Sequence, residues 1–79
     1  MIVAEYKFFR VVQQFQLRGR KTRDYDIVAK RGGTIGEIRY YPTWRQHVLM
    51  PYLDTVWSAG CLADVNDFLA KLKVSEATR

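Results

Sequence analysis

Apolar and polar positions alternate with a period of two over most of this chain and switch to a helical period only near its end. Residues 24–30, DYDIVAK, place Tyr25, Ile27 and Ala29 on one face against Asp24, Asp26, Val28 and Lys30, the signature of a half-buried strand. Residues 34–41, TIGEIRYY, put Gly36, Ile38 and Tyr40 together with Glu37, Arg39 and Tyr41 opposite. The run 44–50, WRQHVLM, sets Trp44, Gln46, Val48 and Met50 on one side and Arg45, His47 and Leu49 on the other. Residues 6–17 are rich in aromatic and β-branched side chains, which favours a strand. Phe9, Val11, Phe15 and Leu17 would share its face, with Gln13 interrupting. A helix through Phe8, Val12 and Phe15 is the weaker reading of that run.

The last segment has apolar residues at 61, 62, 65, 68, 69 and 72. Those steps draw one wide stripe on a helix over about 59–73. Ser58 is placed to cap it. Asp64 and Asp67 fall early and Lys71 and Lys73 late, as the helix dipole prefers. The tail, 75–79, reads as frayed.

Turn signals separate these elements. Gly32-Gly33 is a hairpin signal, Pro42 and Pro51 stand where strands end or edges lie, and LRGRKTRDYD (17–26) reads as a charged loop. The predicted fold is therefore α+β: an antiparallel four-stranded meander, strands 6–17, 24–30, 34–41 and 44–50, then the helix packed on one sheet face. The other face is left open. Trp44, the largest apolar side chain near the Pro42 turn, is expected in the core with Val48 and Met50. Arg45, His47 and Leu49 then join Glu37 and Arg39 on the open face.

Seventy-nine residues make one domain, and a chain of this size buries only roughly 60–65% of its unfolded surface. Cys61 is the only cysteine, so no intrachain disulfide is available, and it sits in the apolar stripe as a small hydrophobe. One His and one Cys do not make the usual four-ligand zinc site. The core must be apolar or completed by a second copy, and the eleven aromatic residues make a homodimer an expectation. No run approaches the ~18 apolar residues of a membrane span. Residues 1–10 carry Glu5, Lys7 and Arg10 and lack a signal peptide's apolar run, which points to a reduced, cytoplasmic setting.

The net charge of +5 is uneven. Residues 1–47 hold ten basic and four acidic side chains, and 48–79 hold three and four. A basic half of this kind fits an acidic partner. Four cations, Arg18, Arg20, Lys21 and Arg23, crowd into six positions of the first loop, where they suit long-range attraction to phosphates or acidic protein. Trp44-Arg45-Gln46 is the most distinctive triplet. Its functional reading sets Arg45 beside His47 and Arg39 on an exposed face, and its structural reading pairs Arg45 with Glu37 on the next strand. Tyr25, Tyr40, Tyr41 and Tyr52 are rings that would stack on bases in a sheet-based binder, although tyrosines also straddle core and solvent in small sheets. Nothing at motif spacing assembles a nucleophile, a base and an oxyanion site. Asp64 and Asp67, one turn apart, are ordinary helix surface.

GGTIGEIRYYPTWRQ (32–46), Pro51, TVW (55–57) and CLADVNDFLAKL (61–72) resemble a family of small uncharacterised proteins of tailed phages and prophages. The likeness runs from Gly32 to Leu72, about half of the chain. It implies a viral or mobile-element origin, a sheet-plus-helix fold and a host-cell cytoplasmic setting. The family has no established activity, so no catalytic role is implied. The function expected is that of a non-catalytic accessory protein which binds a macromolecule, such as a host or defence protein that it inhibits. A nucleic-acid-binding module using the basic loop and open face is the alternative. The partner-binding residues expected are Arg39, Arg45, His47, Tyr41, Arg18, Arg20, Lys21 and Arg23. No cofactor or metal is called for.

Overall fold

The computed structural model describes residues 1–15 and 22–77. Five strands and one helix follow in order: β1 (Ile2–Glu5), β2 (Phe9–Gln13), β3 (Tyr25–Ala29), β4 (Thr34–Tyr41), β5 (Gln46–Pro51) and α1 (Ala59–Ala77). Each strand pairs antiparallel with the next, giving one five-stranded sheet in sequence order. The four-stranded expectation is corrected by β1. Ile2 and Val3 are β-branched and suit a strand, but the chain turns back between residues 5 and 9 without a Gly or Pro to announce it. A bond from the Tyr6 amide to the Phe9 carbonyl, 2.8 Å, closes that turn, and Glu5 meets Arg10 across it at 2.7 Å. The predicted 6–17 strand is thus a turn followed by a shorter strand. It stops at Gln13, and Phe15 is 91% exposed rather than in the core. Leu17 lies outside the described residues.

The core occupies the sheet face that α1 covers. Phe9, Val11, Tyr25, Ile27 and Ile38 are buried there with Val65 and Phe68 of the helix. These positions follow the predicted alternation on β3 and β4. Phe68 is 6% exposed and meets the Tyr25 ring edge-on at 5.2 Å, a geometry that aromatic quadrupoles favour. Ser58 caps the helix as its sequence predicts: the Cys61 amide donates to Ser58 Oγ at 3.1 Å. Cys61, Leu69 and Leu72 are half-buried against the core, as the stripe requires, whereas Leu62 is 48% exposed. The helix continues to Ala77, so Lys71 and Lys73 stand before its last turn, and neither end carries the expected charges.

Gly36 lies mid-strand on the covered face because Trp57 packs over it. A Cβ there would stand 3.1 Å from Trp57 Cζ2 and 3.2 Å from the Met50 carbonyl oxygen, a reason for glycine inside a strand. At the β3–β4 turn the Gly32 amide donates to the Ala29 carbonyl and the Ala29 amide to the Gly33 carbonyl, both at 3.0 Å. Both glycines have positive φ, which costs residues with a Cβ strain.

Tyr6 ties the β1–β2 turn to the helix. Its hydroxyl donates to Asp67 Oδ2 at 2.8 Å, and Lys71 Nζ sits 2.9 Å from the same oxygen. Burial first, and then the Asp67 carboxylate, push the Tyr6 phenol well above its ordinary value of 10.0. Lys71 and then Tyr6 hold the Asp67 carboxyl below the usual carboxylate range. The two shifts bound the interaction in pH. The raised phenol contributes stability in full below pH 10, which is lost as pH climbs toward its folded value. The lowered carboxyl contributes stability above its ordinary value, which is lost as pH falls through its folded one. Tyr6→Phe is expected to cost about 1 kcal/mol at neutral pH and to flatten the alkaline decline in thermal midpoint. An unchanged midpoint at pH 7 would show that the bond contributes nothing.

Candidate macromolecule-binding site

The β4–β5 hairpin turns through four residues, 42–45. The Trp44 amide donates to the Tyr41 carbonyl at 3.1 Å and the Arg45 amide to the Pro42 carbonyl at 3.2 Å. Arg45 has a φ of 54°, in the left-handed region, as such loops require of their last residue. Trp44 and Arg45 are therefore in the turn, and β5 begins only at Gln46. This overturns the predicted facing of the 44–50 run. Leu49 pairs opposite Ile38 and His47 opposite Tyr40, so they lie on the covered face. Val48 and Met50 lie on the open one, opposite Arg39 and Glu37. A slip of one residue exchanges every side chain between faces, and the register with β4 decides it. Arg45 is not across from Glu37; Met50 is.

Trp44 is 64% exposed rather than buried. Its ring meets Tyr41 edge-on at 5.0 Å. His47 Nε2 lies 3.0 Å from the Arg23 carbonyl oxygen, and the imidazole faces the Tyr40 ring at 5.5 Å. That contact joins β5 to the end of the β2–β3 connection. Tyr41, Trp44, Arg45, His47 and Arg23 thus gather at one end of the sheet. Arg18, Arg20 and Lys21, named from sequence, lie outside the described residues. Beside this end runs a groove of about 730 Å³ between β5 and α1, lined by Trp44, Arg45, Val48, Leu69, Leu72 and Lys73 among others. Among the described residues its lining holds two cations and no carboxylate.

Arg39 lies apart, on the open face. Its Nε is 3.5 Å from Asp24 Oδ2, and its Nη1 is 4.0 Å from Glu37 Oε2. The Gln14 amide donates to Asp26 at 2.8 Å and to Glu37 at 3.3 Å, and the Tyr52 hydroxyl reaches Glu37 at 3.3 Å. The open face therefore carries the carboxylates of Asp26 and Glu37, with the buried Asp24 beside them and Arg39 committed to Asp24 and Glu37. That charge repels a phosphate backbone. Tyr25 is buried against Phe68 and has no face to offer a base. Its size and a strand begun at residue 44 would set the tryptophan in the core with Val48 and Met50, but residue 44 lies in the turn. The signal for exposure was Pro42, four residues before the first residue of β5, which leaves room for a loop.

Among the described residues no three His, Cys, Asp or Glu side chains gather as a metal site, and no helix is long and apolar enough to cross a membrane. No family model, curated protein sequence or solved structure matches the chain.

Proposed function

We infer that this is a small non-catalytic binding protein which acts by holding another protein against the β4–β5 end of its sheet. The observation that carries the reading is Trp44. A tryptophan left in solvent contributes little to a thin core, yet it is the side chain that most often anchors a protein interface. Tyr41 braces it, Arg45 and Lys73 flank it, and the apolar groove continues from it. The resemblance of residues 32–72 to small phage and prophage proteins supports a mobile-element origin, with a host or defence protein as the target to be inhibited. That last step is analogy.

Nucleic acid is the competing partner, favoured by the same rings and cations at the hairpin end. It loses the open face, where Asp26 and Glu37 stand. Salt separates the two. A pull-down from host lysate, with and without nuclease, is expected to retain a protein partner between about 50 and about 200 mM salt, whereas contacts to several phosphates would weaken steeply over that range. Loss of the partner on nuclease treatment, or a steep salt dependence, would replace this reading with the nucleic-acid one.

A further inference from the structure

The connections at the end of the sheet opposite the 42–45 turn share one character. The β1–β2 turn is joined to the β3–β4 turn by a bond from the Lys30 amide to the Phe8 carbonyl at 3.1 Å. The register that pairs Gly36 with Pro51 continues through Ile35, whose carbonyl accepts from the Tyr52 amide at 3.0 Å. It brings Leu53 beside Thr34, at the foot of the β3–β4 turn. Phe8 is 51% exposed, Leu53 91% and Val56 92%. Lys30 and Arg31, both exposed, stand between Phe8 and Leu53 in the order of the strands. Lys7 Nζ lies 5.3 Å from the centre of the Phe8 ring. Asp54 is the one carboxylate of these connections, against Lys7, Lys30 and Arg31. Glu5, at the end of β1, is paired with Arg10 at 2.7 Å.

The apolar tips are held out by the backbone rather than left loose. The Tyr6 amide closes the first turn on the Phe9 carbonyl. In the β5–α1 connection the Thr55 hydroxyl donates to the Tyr52 carbonyl at 2.6 Å, and the Trp57 indole donates to Thr55 Oγ1 at 2.9 Å. Asp54 takes a φ of 61°, a left-handed backbone that Asp tolerates better than most residues. The connection is thus fixed in a form that keeps two aliphatic side chains in water. Separate apolar tips among cations fit a lipid surface. Each tip enters the acyl boundary independently while the cations stay with the headgroups. A protein partner would need a matched pocket for every tip.

We propose that this end of the sheet docks on an anionic membrane surface, Phe8, Leu53 and Val56 entering the headgroup–acyl boundary and Lys7, Lys30 and Arg31 meeting acidic headgroups. The attachment is peripheral and reversible, since few apolar side chains enter. A protein held at the hairpin end would then face away from the membrane.

Flotation of the full-length protein with lipid vesicles tests this. Binding is expected to vesicles of mixed phosphatidylserine and phosphatidylcholine and not to phosphatidylcholine alone, and should weaken as salt rises from about 50 to about 200 mM. Leu53→Ser with Val56→Ser is expected to weaken binding about tenfold or more. The thermal midpoint should stay in place, because neither side chain belongs to the core. Lys30→Gln with Arg31→Gln should weaken binding by a similar factor. Arg45→Asn, at the opposite end, should leave it unchanged, Asn accepting the left-handed backbone there. Failure to bind the acidic vesicles at low salt would overturn the proposal. Equal losses from Arg45→Asn and from the Lys30, Arg31 pair would also overturn it, as the mark of unoriented attraction. Binding that survives the loss of Leu53 and Val56 would overturn insertion and leave adsorption by charge alone. A protein partner or second copy lost in the Leu53, Val56 variant, with vesicles ignored, would make this end a protein interface instead.

Discussion

Phe68→Ala is expected to leave little folded protein at room temperature. The ring is almost wholly enclosed, with Tyr25 edge-on against it and the β1 end of the sheet beside it. Removing a buried phenylalanine costs about 3–5 kcal/mol, from lost transfer energy and from the cavity that remains. A domain this small holds a total of roughly 5 kcal/mol. The cavity has little means of collapse, because the sheet beneath it is fixed by its ladder and the helix is pinned by Tyr6 and Ser58. Val65 and Leu69 lie too close along the same helix to move independently into the gap. Thermal unfolding followed by circular dichroism measures the effect. A midpoint within a few degrees of the parent would mean that α1 does not depend on this contact.

Trp44→Ala is expected to do the opposite: leave the fold and remove the function. The ring's aromatic contact with Tyr41 is worth about 1 kcal/mol, and the four-residue turn is closed by backbone bonds that alanine keeps. Affinity for the protein partner should fall about 30-fold or more, the scale of an interface anchor. Titration of the isolated partner against parent and variant, with a thermal melt of each, gives both numbers. A large fall in the midpoint would restore the structural reading of Trp44. An unchanged affinity with an unchanged midpoint would move the site away from the hairpin end.

The predicted pairing of Arg39 with Arg45 as one contact surface does not survive the register. Arg39 is held among Asp24, Glu37 and their neighbours on the open face, and Arg45 stands in the turn at the end of the sheet. The residues that do come together, Tyr41, Arg45, His47 and Arg23, were all named from sequence. Trp44 was named too, but as their support.

The chain by itself determined the class of the fold, the composition of the core on β3 and β4, and the helix with its Ser58 cap. Those features rest on local periodicity and on side chains that bond to their own backbone. Only the tertiary structure decided that β1 exists, because a strand of four residues is made stable by its partner rather than by its own pattern. It also decided which way β5 faces. Apolar residues occur on both sides of that strand, at Val48 and Met50 and again at Leu49, so its alternation alone is ambiguous. Pairing with β4 resolves it by setting Leu49 opposite Ile38, and the same choice releases Trp44 from the core.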